Sequence, residues 1–357
     1  MATILTVVGA RPQFIKAAPV GRALSREGLR EIVVHTGQHF DDAMSGVFFE
    51  ELDIPTPAYN LGVSSLSHGA MTGRMLEKLE AVMLAERPDT VLVYGDTNST
   101  MAGALAAAKL HIPVAHIEAG LRSFNRRMPE EINRVVTDHL SALLFCPTRT
   151  AVRNLAQEGL TEGVHAAGDV MYDTTLAAVA RAENRSTILE RMGLVPRSYT
   201  VVTIHRAENT DDPRQLMRLL AWLDEAAGSR PAIMPTHPRT RRVIADLVTP
   251  RGLRLIDPLG YLDMTRLVHE AAAIFTDSGG LQKEAYFHRV PCVTLRNETE
   301  WVETIEAGWN RLWTVPHYVA PRREIPDYGD GHAAELIAKV IAMETEGKGI
   351  VDITGSR

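Results

Sequence analysis

The chain has only 2 cysteines in 357 residues, Cys146 and Cys292, each inside an apolar strand-like run and in different halves. So sparse a pair argues for buried thiols and against a disulfide framework, which fits a reducing cytoplasm. No apolar run approaches the roughly 20 residues that a membrane-spanning helix needs. The first residues, Met1–Gly9, have no basic region ahead of their apolar stretch and read as a first strand, not a signal peptide. Positive charge is lacking too. A net charge of −6 offers no general surface for nucleic acid or an anionic membrane, although a local basic pocket for a small phosphate stays possible. Thirteen histidines invite a metal, but His-Glu-x-x-His, Cys-x-x-Cys and paired-His spacings are all missing. Also missing are a Gly-x-Ser-x-Gly elbow, a Walker lysine loop and a Gly-x-Gly-x-x-Gly after the first strand. Hydride transfer through a dinucleotide and P-loop hydrolysis lose support accordingly.

What is present is a repeated rhythm. The runs Ile4–Gly9, Ile32–Thr36, Thr90–Gly95, Pro113–Glu118 and Ala142–Cys146 are short, apolar and each followed by a helical pattern. Such runs, without alternation, point to a parallel sheet covered on both faces. The cycle restarts after Pro196-Arg197-Ser198 with Tyr199–His205, Ala232–Thr236, Leu253–Asp257, Ala272–Asp277 and Cys292–Leu295. At 357 residues the chain is too long for one ordinary core. The expectation is an α/β chain of two doubly wound Rossmann-like domains, 1–170 and 171–331, facing a shared cleft. The helical segment 332–346 is placed to pack back on the first. Ligands of open α/β sheets bind at the carboxyl ends of the strands, so polar residues there are the candidates.

The strongest candidate is Thr276-Asp277-Ser278-Gly279-Gly280-Leu281-Gln282-Lys283-Glu284, a buried strand that turns through two glycines into a helix. The helix's first-turn N–H groups and its dipole favour a phosphate there, and Ser278, Gly279 and Gly280 would let it approach. Glu284, about one turn in, suits ribose hydroxyls. After the first strand, Arg11 and Lys16 sit on a helix start, as diphosphate ligands or as solvated charges. Asp96, in Tyr94-Gly95-Asp96-Thr97, is an N-cap or a site carboxylate. Glu118 ends a buried strand, which is costly unless the group is paired or used. Glu130, behind Pro129, is a helix-opening acid or a catalyst. His205 and Arg206 end the first strand of the second half and could hold phosphate oxygens, or simply be satisfied polar groups. Carboxylates in the first half and a phosphate cradle in the second describe an enzyme that grips a nucleotide diphosphate and works on an attached sugar.

The ordered set of motifs resembles the non-hydrolysing UDP-N-acetylglucosamine 2-epimerases. It runs from Gly9-Ala10-Arg11-Pro12 through Gly95-Asp96-Thr97, His116-Ile117-Glu118-Ala119-Gly120 and Pro129-Glu130-Glu131-Ile132-Asn133-Arg134 to His205-Arg206-Ala207-Glu208-Asn209 and Asp277-Ser278-Gly279-Gly280. The resemblance implies a GT-B-like fold, a homodimer, no metal or redox cofactor, and inversion of C2 through elimination and re-addition of UDP. It puts Lys16, Asp96, Glu118 and Glu130 at the sugar, with His205 among the catalytic residues. Arg11, His205, Arg206 and Ser278–Gly280 would stabilise the leaving UDP, Arg134 would hold Glu130 or the phosphates, and Glu284 would bind ribose. Three departures stand out. The loop Ser123–Met128 is short and basic, Thr299-Glu300-Trp301-Val302-Glu303 replaces Thr-Glu-Arg-Pro-Glu, and Phe40-Asp41-Asp42 follows Gln38-His39 where members activated by a second nucleotide sugar carry another glutamine. Arg74 of that second site is retained. These departures resemble the branch acting on UDP-2,3-diacetamido-2,3-dideoxy-glucuronate, whose sugar carboxylate would suit Arg126 or Arg127. The alternatives are UDP-N-acetylglucosamine itself as substrate, or a GT-B glycosyltransferase.

Overall fold

The computed structural model describes residues 1–38, 56–236, 241, 243–244, 252–299 and 301–347. The chain divides into two compact units, Met1–Thr174 with Pro326–Arg357, and Thr175–Ile325. Among the described residues, no helix is long and apolar enough to cross a membrane.

In the first unit the strands are β1 (Thr3–Val8), β2 (Arg30–His35), β3 (Tyr59–Asn60), β4 (Thr90–Tyr94), β5 (Val114–Ile117), β6 (Leu143–Cys146) and β7 (Val164–Ala166). They pair in parallel in the order β3-β2-β1-β4-β5-β6-β7, so strand order reverses between β1 and β4. Every residue of β4 and β5 is buried, as strands covered by helices on both faces require. The helix Asn98–Lys109, rich in alanine, lies close on this sheet. A Cβ on its Gly103 would stand 3.1 Å from Val93 and 3.2 Å from Val7, so the glycine sets that close approach. The late helix Ala333–Thr345 packs on the helix Arg11–Arg26, and Asp173 accepts hydrogen bonds from its first amides, Ala333 at 3.2 Å and Ala334 at 2.7 Å.

In the second unit β8 (Thr200–Thr203), β9 (Ala232–Pro235), β10 (Leu253–Ile256), β11 (Ala273–Thr276), β12 (Cys292–Thr294) and β13 (Asn310–Leu312) form a parallel sheet ordered β10-β9-β8-β11-β12-β13. The reversal falls between β8 and β11. Leu216, Leu219, Leu220 and Leu223 of the helix Pro213–Ala227 recur at helical spacing and bury against Val202, Met234 and Phe275. Each such leucine contributes about 1.5–3 kcal/mol on leaving water. Cys146 and Cys292 are free, buried thiols, one in each unit. The sequence carries no strand-like run for β3 or β13, whereas the last such run of the first half, closed by Gly168-Asp169, is β7. These edge strands have only two or three residues and mix polar with apolar side chains.

Candidate active site

Both strand-order reversals carry the polar residues, as open α/β sheets direct. In the first unit, Gly9 and Ala10 follow β1. Their N–H groups donate to Gln13 Oε1 at 2.8 and 3.0 Å, and Gln13 Nε2 donates to the Tyr94 carbonyl at 2.6 Å. This buried glutamine ties the turn after β1 to the turn after β4. It went unremarked in the sequence because its partner lies 81 residues away. Gly9 itself has no room for a side chain: a Cβ there would fall 2.0 Å from Ser99 Oγ. Arg11 is exposed on the helix start. Lys16, one turn further on, is 9 % exposed and forms an ion pair with Glu118.

Glu118 leaves β5 in the left-handed region, φ 71°, which is uncommon for a residue with a side chain and recurs at functional sites. Its N–H and that of Ala119 both donate to the Phe145 carbonyl at 3.1 Å. A Cβ on Gly95 would meet Glu118 Oε2 at 3.2 Å, so that glycine gives the carboxylate its space. Asp96 does not cap the helix Asn98–Lys109; Thr97 does, accepting from the Thr100 amide. Asp96 instead accepts from Arg134 Nη2 at 2.6 Å.

The structure gives Arg134 partners other than Glu130. Its second nitrogen donates to Glu131 at 2.8 Å, three residues earlier on the same helix face. Glu131 is 2 % exposed and also accepts from Ser123 N, Ser123 Oγ and Phe124 N, which anchors the basic loop 123–128. Burial pushes the Glu131 carboxyl up, but these donors outweigh it and hold it below the usual carboxylate range. Glu130 is exposed on the first turn of the helix Pro129–Leu140, and Arg126 and Arg127 are exposed on the anchored loop.

In the second unit, Asp277 follows β11 and is fully buried. It accepts from His205 N, Arg206 N and Asn209 Nδ2, each at 3.0 Å, and pairs with His205 Nδ1 at 2.9 Å. Burial raises its carboxyl, yet these partners win and hold it low. An ionised Asp277 accepts a hydrogen bond from Nδ1–H, which leaves Nε2 of the exposed ring free of that contact. Ser278 caps the helix Gly279–Phe287 by accepting from Leu281 N at 3.4 Å. The amides of Gly279 and Gly280 belong to the first helical turn, which has no intrahelical acceptors, and can serve an anion. Glu284 Oε1 lies over Gly280, at 3.6 Å from where its Cβ would be. Trp301, in the departing motif, is mostly buried and carries the Lys283 ammonium 4.4 Å from its ring centre. His39–Asp42 and Glu300 lie outside the described residues, while Gln38 accepts from Ser99 N at 3.1 Å and Arg74 pairs with Glu77 at 2.8 Å. Among the described residues, no three His, Cys, Asp or Glu side chains stand together as metal ligands.

The family model described as UDP-N-acetylglucosamine 2-epimerase matches residues 22–342. The chain belongs to the UDP-N-acetylglucosamine 2-epimerase family. It is a UDP-sugar 2-epimerase, hence an isomerase, with the GT-B-like α/β fold of that family. It is 49% identical over 355 residues to the UDP-2,3-diacetamido-2,3-dideoxy-D-glucuronate 2-epimerase of Pseudomonas aeruginosa, covering 95% of this chain and 99% of that one. It is 54% identical over 316 residues to a UDP-N-acetylglucosamine 2-epimerase homolog of Methanococcus maripaludis, covering 87% and 88%. Among solved structures, the Methanocaldococcus jannaschii UDP-GlcNAc 2-epimerase in complex with UDP-GlcNAc and UDP is similar over 95% of this chain and 98% of its own, with a TM-score of 0.82 and 40% identity.

Proposed function

We propose that this epimerase converts UDP-2,3-diacetamido-2,3-dideoxy-glucuronate to its manno epimer, as a cytoplasmic homodimer supplying bacterial surface polysaccharide such as O-antigen lipopolysaccharide. The observation that carries the substrate is the exposed Arg126-Arg127 pair, on a loop anchored through Glu131 to the arginine that holds Asp96. A sugar carboxylate, which UDP-N-acetylglucosamine lacks, is the group such a pair would meet. The near full-length likeness to the Pseudomonas enzyme supports the same reading.

The C2 proton of the sugar is not acidic, so C1–O cleavage runs ahead and charge grows on the departing UDP. Arg11, His205, Arg206 and the Ser278–Gly280 turn stabilise that charge, and Glu284 holds ribose. One carboxylate among Asp96, Glu118 and Glu130 takes the C2 proton as the C1–O pair leaves with UDP, giving a glycal. UDP then returns to C1 while a second carboxylate protonates C2 from the opposite face. Lys16 neutralises Glu118 and so lets a carboxylate work in a buried place.

UDP-N-acetylglucosamine is the second reading, favoured by the name of the 54% identical relative. Proton NMR in D2O with each nucleotide sugar in its own tube separates the two. Loss of the C2 proton signal and growth of a manno-configured product in the diacetamido-glucuronate tube alone is the expected result. Exchange confined to the UDP-N-acetylglucosamine tube would replace the substrate, and silence in both would remove the mechanism.

A further inference from the structure

Beneath the turns that bear Asp96 and Glu118 lies a buried chain of charges that the mechanism above does not use. His116 of β5 is fully buried. Its Nδ1 stands 2.7 Å from Asp138 Oδ1 and its Nε2 stands 2.8 Å from the Gly95 carbonyl oxygen. Asp138, also fully buried, turns its other oxygen to Gly120 N at 3.1 Å and Arg122 Nη1 at 2.7 Å. Arg122 then grips Glu158 with two bonds of 2.7 Å.

The partners dictate the protons. A peptide carbonyl can only accept, so His116 Nε2 must donate. Asp138 already accepts from Gly120 and Arg122, and although burial raises its carboxyl, His116 and Arg122 hold it below the usual range, so it accepts from Nδ1 as well. Both ring nitrogens therefore carry protons. The alternation of His116 plus, Asp138 minus, Arg122 plus and Glu158 minus runs from the buried His116 out to the exposed Glu158 and leaves no net charge, which is how its buried members are tolerated. Cys146, the nearby thiol of β6, is pushed up to about 12, chiefly by burial and next by Asp138, so it adds no charge.

We infer that the His116 imidazolium and Asp138 are positioning residues that hold the Asp96 and Glu118 turns at a fixed separation. Gly95 immediately precedes Asp96, and Gly120 follows Glu118 by two residues. One carboxylate thus fixes the first turn through the His116 ring and the second through the Gly120 amide. Losing the Nε2 proton would set a lone pair against the Gly95 carbonyl and release the Asp96 turn. The inference rests on Asp96 and Glu118 acting on the sugar, as proposed above.

Long-range proton–nitrogen spectra of the full chain with labelled histidine test the protonation directly, His116 being assigned by its loss in His116→Gln. Two protonated ring nitrogens at neutral pH are expected, and a bare ring nitrogen overturns the inference. Glutamine can still donate from the Nε2 position, whereas asparagine can donate only from the Nδ1 position. In the C2 exchange assay, His116→Asn should lower kcat about a hundredfold, the cost of roughly 1 Å of misplacement, with His116→Gln recovering about tenfold of that. KM should stay within about threefold in both. Wild-type kcat in both variants, or a loss confined to KM, overturns the positioning role. A wild-type enzyme that exchanges no C2 proton would instead remove the reading of Asp96 and Glu118, and the nitrogen spectra would still decide the imidazolium.

Discussion

Arg134 holds Asp96 through a 2.6 Å hydrogen bond, and the same guanidinium reaches Glu131 at 2.8 Å. The planar fork of an arginine spans two carboxylates where the single ammonium of a lysine cannot. One side chain therefore links the turn after β4 to the loop that carries Arg126 and Arg127.

Arg134→Lys should keep the charge and lose the span. The expected result is a kcat about ten- to a hundredfold lower, from a misplaced Asp96. Arg134→Met should cost stability as well, about 3–5 kcal/mol at most, because Glu131 is left buried without its cation. Steady-state kinetics with urea unfolding separate the two effects. Wild-type kcat in the lysine variant would show that the span has no part in turnover.

On the proposed mechanism, Glu118→Gln removes a proton carrier but no phosphate contact. Turnover should vanish while UDP binding, followed by calorimetry, stays within about tenfold. A parallel loss of UDP affinity would mean that Glu118 serves binding. The variant also strands Lys16 in a nearly closed pocket, so a lower melting temperature should accompany the loss of activity.

Much of this architecture is legible in the sequence, and the exceptions have a common cause. The runs behind β1, β4, β5, β8 and β11 stand out because central parallel strands are apolar on both faces. Edge strands β3 and β13 are held by pairing with a neighbour and carry no such signal. Among the candidate residues, strand-end position marks Asp96 and Glu118 in the first unit and His205 and the Ser278–Gly280 turn in the second. The residues that orient them are hidden, since Asp138 meets His116 across 22 positions and Asp277 meets His205 across 72. Asp277 stood in view inside its motif, but only the fold reveals that it anchors the turn after β8. Glu130 and Glu131 are adjacent and alike in the sequence. Helical rotation buries one and exposes the other.

The proposed substrate gives Arg126 and Arg127 a part in specificity. Replacing both with alanine should lower kcat/KM for the diacetamido-glucuronate substrate about a hundredfold, the worth of two charge-assisted contacts. UDP-N-acetylglucosamine, which has no sugar carboxylate, should lose less than about threefold in a competition assay. Equal losses for the two substrates would mean that these arginines do not read a carboxylate.

Asp173 gives the fold a pH dependence of unusual sign. Burial raises its carboxyl to about 6, against the pull of the Ala334 and Ala333 amides that it caps. An unfolded aspartate ionises near 3.9, so between about 4 and 6 the folded state holds a proton that the unfolded chain has released. The contribution of Asp173 is therefore fully present below that window and is lost as pH rises through 6. The distance from about 3.9 to about 6 corresponds to about 3 kcal/mol before other groups are counted. Asp173→Asn keeps one acceptor for the helix Ala333–Thr345 and cannot ionise. Comparing urea unfolding of the two proteins from pH 5 to 7.5, the wild type should lose stability relative to the variant as pH rises. A constant difference across that range would show that Asp173 titrates alike in the folded and unfolded chains.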